Sequence, residues 1–487
     1  MSTPVPTPSR VRRSRVSPAH TEPVARGFLG FLGGPVGYFA AVGRQRWWTP
    51  LRTLIFTALI FLSFGYLSKA NCLGAAVAED GTVSLDWSGN RQYTSACYND
   101  IAPLFDGRGL SQGGFPYAWS WTEGDLTRYM EYPVLAGLFQ GAMAWVSRLT
   151  YPLVDVLPLP VAPAAWYFAV TALVMSALWV LTIRLVVDLA GNRVWDVVLV
   201  AASPLVIVHA FTNWDIPSIA ATAAALSAVR HGRPGWAGVL IGIGTAVKLW
   251  PLFILGAYLI LAVRSSRWRP FLLMLATTVA TWLAVNLPVM LAYPAAWGEF
   301  LRLNRERSWE WTTIYAMLAR GTGWSGFDGD GVPVILNAVT FALFAVLCLA
   351  IFVLGVRVTR RPRVAELVFL ILVAFLVVNK VWSPQYSLWL LVPAVLALPR
   401  WRLLLTWMLL DAAVWPLLMW YMLGAENKGI PHELLDAALL TRLLLLTVMV
   451  VLVIRQMLGR EADPVADAHH GRDPLALSAA DDGRMRA

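Results

Sequence analysis

One stretch of this chain, residues 333–357, reads PVILNAVTFALFAVLCLAIFVLGVR. It carries no charged side chain before Arg357, and it is longer than the roughly 20 apolar residues that a helix needs to cross a bilayer. The segment that follows, 357–363, reads RVTRRPR and is rich in arginine. Because short basic loops are retained in the cytoplasm, the stretch predicts a membrane-spanning helix that ends on the cytoplasmic side.

The composition of the whole chain extends this prediction to most of its length. Hydrophobic residues make up 58% of the 487 residues, charged residues make up 14%, and the mean hydropathy is +0.60. A soluble core of this size cannot bury so much apolar surface, so we expect an all-α polytopic membrane protein. The net charge of +10 comes from basic residues scattered between apolar runs rather than gathered in one stripe. We interpret them as signals of membrane topology and expect no nucleic acid partner.

Apolar runs and basic loops together predict about twelve spans, with both termini in the cytoplasm and the protein in the plasma membrane. The transmembrane domain covers 51–455, between a basic tail at 1–50 and a disordered tail at 456–487. The run at 235–263 contains Lys248 and Pro251 and is predicted as two short helices. The apolar runs are 51–69, 164–188, 195–211, 216–229, 235–263, 270–292, 333–357, 364–379, 384–399, 402–421 and 433–454.

One apolar segment, 132–149, does not fit this count. Treating it as a span would place Arg184, Arg193 and most later basic loops outside, so we expect a juxtamembrane or re-entrant helix at the outer interface. Long loops often carry function, and the candidate site is therefore predicted on the outer face. The outer face receives a long first loop at 70–131, a second large loop at 293–332, and short segments at 211–217, 248–251, 379–386 and 424–433.

The three cysteines divide between the membrane and the first outer loop. Cys348 lies in an apolar run, where a thiol serves as a small buried hydrophobe. Cys72 and Cys97 flank the first outer loop, and outside the cytoplasm they can pair. Closing that ring would stabilise the fold by roughly 3 kcal/mol, whereas two free thiols are the alternative.

Two carboxylates near the end of the first outer loop are candidate general bases. Asp100 and Asp106 occur in the segment CYNDIAPLFDGRGL, which begins at Cys97. A carboxylate at the edge of a dry cavity has a raised pKa and can take a proton from a hydroxyl. Asp100 can alternatively cap the helix that follows it, and Asp106-Gly107 is also a turn signature.

Basic residues on the predicted outer side can surround a phosphate group. Lys248 and Lys380 each end an apolar helix, and Arg302, Arg305 and Arg307 lie in the second outer loop. Cations in such a cluster stabilise the charge on a departing phosphate oxygen. Each lysine can instead extend to the interface without any further role.

Other polar residues in the outer segments have a structural alternative. Asp215 can contact a substrate or cap the helix that contains Pro217, and His209 can be an interface histidine. Ser383 is predicted as a helix cap, which leaves Gln385 and Tyr386 as possible ligand contacts. No metal-ligand spacing and no glycine-rich phosphate loop occurs, so neither a metal site nor a nucleotide site is expected.

Five motifs taken together give a specific resemblance. They are YNDIAPLFDGRGL, EYPVLAGL, NWDIPSIAATAAAL, GIGTAVKLWPLFIL and NKVWSPQYSLWLLVP, and they begin at residues 98, 131, 213, 242 and 379. Their order and spacing resemble glycosyltransferase family 87 of the GT-C superfamily. This actinobacterial group includes polyprenol-phosphate-mannose-dependent mannosyltransferases of lipoglycan synthesis. The resemblance covers most of residues 50–455.

The resemblance implies an inverting glycosyltransferase that uses a polyprenyl-phosphate sugar, most simply mannose, and a lipid-linked or cell-wall glycan acceptor. It implies Asp100 as the base and Lys248 and Lys380 as contacts to the donor phosphate, and the basic cluster of the second outer loop adds Arg307 and Arg305 to these predicted contacts. Asp106, Arg108, Glu131 and Tyr132 are further possible substrate contacts, and no cofactor or metal is expected. Trp119, Trp121, Trp309 and Trp311 are candidates for stacking on sugars or for the interfacial aromatic belt. A transporter and a noncatalytic membrane scaffold are the alternatives, and the oligomeric state stays open.

Overall fold

The computed structural model describes residues 49–156, 158–329 and 331–476, which leaves nearly all of the predicted tail 1–50 outside the described residues. This part of the chain is mostly helical. Its helices are α1 Pro50–Leu67, α2 Arg91–Thr94, α3 Ile101–Gly107, α4 Val134–Thr150, α5 Pro152–Asp155, α6 Pro163–Ala190, α7 Val198–Ala201, α8 Pro204–His209, α9 Ile216–Arg230, α10 Pro234–Val247, α11 Ile254–Ser265, α12 Trp268–Ala292, α13 Pro294–Glu306, α14 Ile314–Thr322, α15 Val334–Arg357, α16 Val364–Val378, α17 Ser387–Ala397, α18 Trp401–Met422, α19 His432–Met457 and α20 Pro464–Ala468. Short 3₁₀ helices occur at Ala70–Cys72, Ser88–Asn90, Pro116–Ala118, Gly191–Val197, Trp250–Phe253, Pro384–Tyr386 and Ala425–Asn427.

The long apolar helices make the chain a multi-pass membrane protein. An α-helix satisfies its own backbone hydrogen bonds, which is why apolar runs of this length form helices in lipid. Among the described residues, six segments are long and apolar enough to cross a membrane: Pro50–Cys72, Pro163–Ala201, Trp268–Ala292, Val334–Arg357, Trp401–Met422 and His432–Met457. Shorter apolar helices are Ile216–Arg230, Pro234–Val247, Trp250–Ser265, Val364–Val378 and Pro384–Ala397. These helices fit the predicted fold class, but they do not establish a count of twelve spans.

The predicted span at 195–211 is wrong, because this segment is not one helix. It is divided into α7 and α8, and Pro204 is the first residue of α8. Proline disfavours the helical conformation of the residue before it, and here Ser203 is extended, so the helix ends before Pro204 and a new one begins. The Ser203 side chain accepts a hydrogen bond from the Leu205 N–H at 3.3 Å and starts the new helix.

The bundle has two polar ends of different character. α9 runs from Asp215 to Arg230, and α10 returns to Lys248, whose Nζ lies 3.5 Å from an Asp215 oxygen. We call this end the cavity end. At the opposite end, which we call the basic end, the segment 463–475 contacts the side chains of Arg193, Arg230 and Arg363.

Helix α4, which covers most of the apolar segment 132–149, has both of its ends at the cavity end. At its start, the Tyr132 hydroxyl accepts a hydrogen bond from Asn213 Nδ2 at 3.2 Å. At its end, the Thr150 hydroxyl accepts a hydrogen bond from Trp166 Nε1 at 2.9 Å, near the start of α6. The helix therefore does not run from one end of the bundle to the other.

Residues 70–131 form a folded layer over the cavity end. Two antiparallel hairpins lie in this loop: Ala75–Val77 (β1) with Val83–Leu85 (β2), and Trp121–Glu123 (β3) with Leu126–Arg128 (β4). A disulfide joins Cys72 and Cys97, whose Cα atoms are 5.6 Å apart. The bond holds the segment that leads into α3 beside the end of α1.

The segment after α19 corrects the prediction of a disordered tail over 456–487, as far as the structure describes it. The Asp463 carboxylate accepts hydrogen bonds from the first N–H groups of α20 and also binds Arg363 Nε at 2.9 Å. Leu475 is only 1% exposed and packs into the main core. A few apolar side chains anchor this otherwise polar segment to the bundle, which its average composition did not reveal. Residues 477–487 lie outside the described part.

Replacing Gly137 by alanine tests how α4 docks under the loop. A Cβ at Gly137 would lie 2.4 Å from the Tyr117 hydroxyl oxygen, which donates a hydrogen bond to the Tyr132 carbonyl at 2.9 Å. We expect Gly137→Ala to lower the free energy of unfolding by about 1–3 kcal/mol, because overpacking displaces Tyr117. Thermal unfolding of the purified protein in detergent measures the change.

Gly298 in α13 provides the matched control. A Cβ at Gly298 meets no atom within 4 Å, so Gly298→Ala should be neutral or stabilising by about 0.4–1 kcal/mol. Equal losses in both variants would contradict the close packing of α4 against Tyr117.

Candidate active site

A cavity of about 760 Å³ lies at the cavity end, under the folded loop and against the ends of α9, α10 and α18. One wall contains Asp100, Asn213 and Lys248, and the facing wall contains Arg307 and Glu310. The predicted site residues that line it are Asp100, Arg108, Glu131, Tyr132, Lys248, Arg307, Gln385 and Tyr386.

The Asp100 carboxylate is held by two side chains and faces the cavity. Its Oδ1 accepts a hydrogen bond from the Tyr98 hydroxyl at 2.9 Å, and its Oδ2 accepts one from Asn213 Nδ2 at 2.6 Å. It makes no capping hydrogen bond to α3. Asn99 does the capping instead, because its Oδ1 accepts from the Ala102 N–H at 2.9 Å. The Asp100 side chain therefore does not cap α3, which was the structural alternative to a role as a base.

Asn213 connects Asp100 to Lys248. Its amide nitrogen donates to Asp100, and its Oδ1 accepts hydrogen bonds from Lys248 Nζ at 3.1 Å and from the Trp214 N–H at 2.6 Å. The fully buried Asp215 lies 3.5 Å from Lys248 Nζ and provides a counter-charge. One amide thereby sets the spacing between a candidate base and a candidate cation.

Burial controls the protonation of Asp100. Loss of hydration raises the pKa of Asp100 above its ordinary value, and the nearby Asp215 charge adds to this rise. Hydrogen bonds from Asn213 and Tyr98, together with the Lys248 charge, lower the pKa and oppose it. A carboxylate with a raised pKa is a stronger base than an exposed aspartate.

The facing wall is built from two loops that hold each other. Glu310 Oε1 accepts from Arg307 Nη2 at 2.8 Å, and its Oε2 accepts from the Ser383 hydroxyl at 2.5 Å. Ser383 is the residue before the 3₁₀ helix Pro384–Tyr386, as predicted, but its side chain makes no capping bond and donates to Glu310 instead. Lys380 Nζ donates to the Arg307 carbonyl at 2.5 Å.

A buried ion pair supports this wall from behind. Arg442 and Asp411 are at most 1% exposed, with Arg442 Nη1 at 3.9 Å from Asp411 Oδ1. Arg442 Nη2 donates to the Thr312 carbonyl at 2.6 Å, and its guanidinium lies 3.7 Å from the Trp382 ring centre. Arg442 therefore joins the loop that carries Glu310 to the loop that carries Ser383.

A second buried cation supports the Asp100 wall. Lys69 is 1% exposed, and its Nζ donates to the Tyr98 carbonyl at 3.1 Å and lies 4.8 Å from the Trp415 ring centre. The neighbouring Cys72–Cys97 disulfide restrains the same segment. Together they fix the backbone of Tyr98, whose hydroxyl binds Asp100.

Three predicted site residues lie away from the cavity. Asp106 is exposed on α3 and is not part of the lining, as expected for a residue in the turn before Gly107. Arg305 is exposed on α13, on a face that points away from the cavity. The Lys380 amine is buried against Arg307, and burial lowers the pKa of Lys380 to about 8. Lys380 thus shapes the loop, and a direct contact with phosphate is not supported.

The last two predicted site residues, Asp215 and His209, do not line the cavity. Asp215 makes no capping bond to α9; it accepts from Trp389 Nε1 at 2.9 Å and faces Lys248. His209 is fully buried, packs edge-on against Trp415, and makes no hydrogen bond among the described residues.

The Arg108–Glu131 ion pair and two of the four candidate tryptophans line the cavity. Arg108 and Glu131 form an ion pair at 2.8 Å, and Arg108 also lies 4.2 Å from the Trp121 ring centre. Trp309 and Trp311 line the cavity. Trp119 stacks on Trp121 with ring centres 5.3 Å apart, outside the lining.

Three site residues were not identified from the sequence: Tyr98, Asn213 and Glu310. Each lies within two residues of one that was singled out, in the segments CYND, NWD and RSWEW. Their roles depend on contacts between distant segments, such as the 113 residues that separate Asn213 from Asp100. In the described part of the chain, no group of three or more His, Cys, Asp or Glu side chains is arranged to hold a metal ion.

Replacing Arg442 tests the support behind the second wall. We expect Arg442→Met to lower the free energy of unfolding by about 3–5 kcal/mol, because Asp411 is left buried without its partner charge. Adding Asp411→Asn should recover part of the loss. Thermal unfolding in detergent measures both variants.

Arg455 is the matched control on the same helix, because its side chain is 52% exposed and its ion pair with Glu461 is long, at 3.5 Å. Arg455→Met should change stability by less than about 1 kcal/mol. If both arginine variants lose the same amount, the buried pair has no special role.

The sequence comparisons identify a family for this site. The profile described as glycosyltransferase family 87 matches residues 132–384, slightly more than half of the 487 residues. The matched range includes Asn213, Lys248 and Glu310, and it begins after Asp100. The comparison with curated proteins gives no significant match. The chain therefore belongs to glycosyltransferase family 87, and it is a multi-pass membrane glycosyltransferase.

Proposed function

We propose that this protein transfers a sugar, most simply mannose, from a polyprenyl phosphate to a hydroxyl group of a lipid-linked or cell-wall glycan. The observation that carries the proposal is the connection of Asp100 to Lys248 through the Asn213 amide within one cavity. A base and a cation at fixed spacing are what a displacement at a sugar carbon requires.

In the proposed reaction, Asp100 takes the proton from the acceptor hydroxyl as that oxygen bonds to the anomeric carbon. The bond between the anomeric carbon and the phosphate oxygen breaks, and the phosphate leaves with the bonding electrons. Lys248 and Arg307 line the same cavity and would stabilise the charge on the phosphate. Attack opposite to the leaving group inverts the anomeric centre. The proposal uses these two cations and includes no metal or other cofactor.

A lipid donor is favoured by an apolar surface beside the polar groups. Leu249 follows Lys248, lines the cavity, and is 46% exposed, and the nearby Leu252 is 36% exposed. In a membrane such side chains face hydrocarbon. An isoprenoid chain lying against them would place its phosphate near Lys248.

The positions of the basic residues and of the disulfide support a reaction on the extracytoplasmic face, with both termini in the cytoplasm. The basic end carries Arg193, Arg230 and Arg363, and basic loops are retained in the cytoplasm. The disulfide lies at the cavity end, and disulfides persist outside the cytoplasm. The mannose donor and the glycan acceptor follow from the family resemblance.

Asp100→Asn tests the assignment of the base. We expect it to lower the rate of sugar transfer from polyprenyl-phosphate mannose by about 10²–10⁴-fold, because the amide cannot accept the proton. Purified protein with radiolabelled donor and a lipid extract as the acceptor source provides the assay. Asp106→Asn is the matched control in the short helix that follows Asp100, and it should retain wild-type transfer.

Equal transfer by wild type and Asp100→Asn would refute the base assignment. Absence of transfer by the wild type with any polyprenyl-phosphate sugar would refute the proposed function, and solute movement in reconstituted vesicles would then favour a transporter.

Tyr98→Phe tests the hydrogen bond to the base through the pH profile. The Tyr98 hydroxyl favours the charged carboxylate, so its loss raises the pKa of Asp100 further. The deprotonated form is the active one, and activity is lost as the pH falls through this pKa. The acidic limb of kcat/KM should therefore move to higher pH, while the rate at alkaline pH stays close to wild type. A limb that is unmoved, or that moves to lower pH, contradicts the assignment.

A further inference from the structure

The cavity wall around Glu310 contains acceptor groups that the proposed transfer does not use. Each Glu310 oxygen receives one hydrogen bond, from Arg307 at 2.8 Å and from Ser383 at 2.5 Å. A carboxylate oxygen has two acceptor positions, so each oxygen keeps capacity for one further donor. Glu310 lines the cavity and can accept hydrogen bonds from two neighbouring hydroxyl groups of a ligand.

The backbone of this wall is fixed before any ligand arrives. The Glu310 N–H donates to the Lys380 carbonyl at 2.9 Å, and the Lys380 amine donates back to the Arg307 carbonyl at 2.5 Å. Tyr315 adds a third link, since its hydroxyl donates to the Val378 carbonyl at 2.8 Å. Side chains on a backbone held in this way can discriminate between ligands, because moving them to fit a different ligand costs free energy.

Gln385 supplies a second polar side chain on this side of the cavity. It is 7% exposed and lines the cavity, and its side-chain amide makes no hydrogen bond to any residue that the structure describes. The amide is not among the enclosed polar atoms of the described residues, so it opens onto the cavity and is accessible to a ligand. The Gln385 amide can both donate to and accept from a hydroxyl group.

We propose that Glu310 and Gln385 bind hydroxyl groups of the sugar that is being transferred and thereby select the donor. This inference rests on the proposed function, in which Arg307 holds the donor phosphate. The sugar is bonded directly to that phosphate, so the sugar hydroxyls would lie near Arg307. Glu310 is hydrogen-bonded to Arg307 and would therefore lie within reach of them. The ligand class is a glycosyl group with free hydroxyls on neighbouring carbons. Neither residue forms a covalent bond, and Asp100 on the facing wall remains the base.

The test combines protein variants with donors that lack one hydroxyl. Polyprenyl-phosphate mannose and its 2-, 3-, 4- and 6-deoxy analogues are assayed with wild type, Gln385→Ala and Glu310→Gln. For the wild type, we expect at least one deoxy donor to lose about 10–100-fold in kcat/KM, as for removal of a hydrogen bond to a buried polar partner. In the variant that lacks the partner of that hydroxyl, the ratio of parent to deoxy donor should fall to about threefold or less.

Glu306→Gln is the matched control, because Glu306 is exposed on α13 and pairs with Arg302 outside the cavity. It should keep the wild-type ratios. Gln385→Ala removes no hydrogen bond within the described protein, so its unfolding temperature should match that of the wild type. A changed donor ratio in this variant then reports lost recognition of the sugar rather than lost folding.

The outcomes separate the inference from the proposed function. If the wild type transfers mannose but the parent-to-deoxy ratios are unchanged in both variants, the hydroxyl-binding role is wrong and the transfer function stands. If the wild type uses no polyprenyl-phosphate sugar at all, both are overturned.

Discussion

The site depends on one side-chain amide. Asn213 donates to Asp100 at 2.6 Å and accepts from Lys248 at 3.1 Å, so it fixes a carboxylate and an ammonium group at a set separation without letting them form a direct ion pair. A direct pair would favour the charged form of the carboxylate, lower its pKa and so make it a weaker base. With the amide between them, Asp100 remains available to a hydroxyl group and Lys248 remains available to an anion. The buried Asp215 lies 3.5 Å from Lys248 Nζ and is its counter-charge.

The rest of the fold holds two walls at the distance that this unit requires. On one side, the Cys72–Cys97 disulfide and Lys69 restrain the segment that contains Tyr98 and Asp100. On the other side, Arg442 links the loops of Glu310 and Ser383 from within the bundle. Charged groups are costly in a membrane interior, and their presence there is usually tied to function. Lys69 and Arg442, the buried cations behind the two walls, each donate a hydrogen bond to a backbone carbonyl of a cavity-lining residue, Tyr98 and Thr312.

The sequence predicts the fold class well because hydrophobic length is a local property. The stretch 333–357 forms α15 over Val334–Arg357, and the break at Lys248 and Pro251 separates α10 from α11 as expected. The prediction of one span over 195–211 was wrong because it relied on apolar composition and overlooked the helix break before Pro204. The prediction of a disordered tail was wrong for its described part because a few buried side chains, such as Leu475, hardly change the average polarity of the segment.

The site was predictable only in part, for a related reason. Asp100 and Lys248 were identified because they lie at the ends of apolar runs, and the structure places both in the cavity. Asn213 and Glu310 depend on pairings between segments far apart in sequence, which no local pattern encodes. Lys380 and Arg305 illustrate the reverse error: a basic residue near the right surface can turn its charge toward the backbone or toward the exterior.

The central claim is that the donor phosphate binds between the two walls with the reacting carbon facing Asp100. Cryo-electron microscopy of the protein in lipid nanodiscs, with a non-hydrolysable polyprenyl-phosphonate sugar bound, measures this directly. The account predicts phosphonate density within hydrogen-bond distance of Lys248 and Arg307, with the anomeric carbon toward Asp100. Phosphonate density at the basic end, beside Arg193 and Arg363, would contradict it.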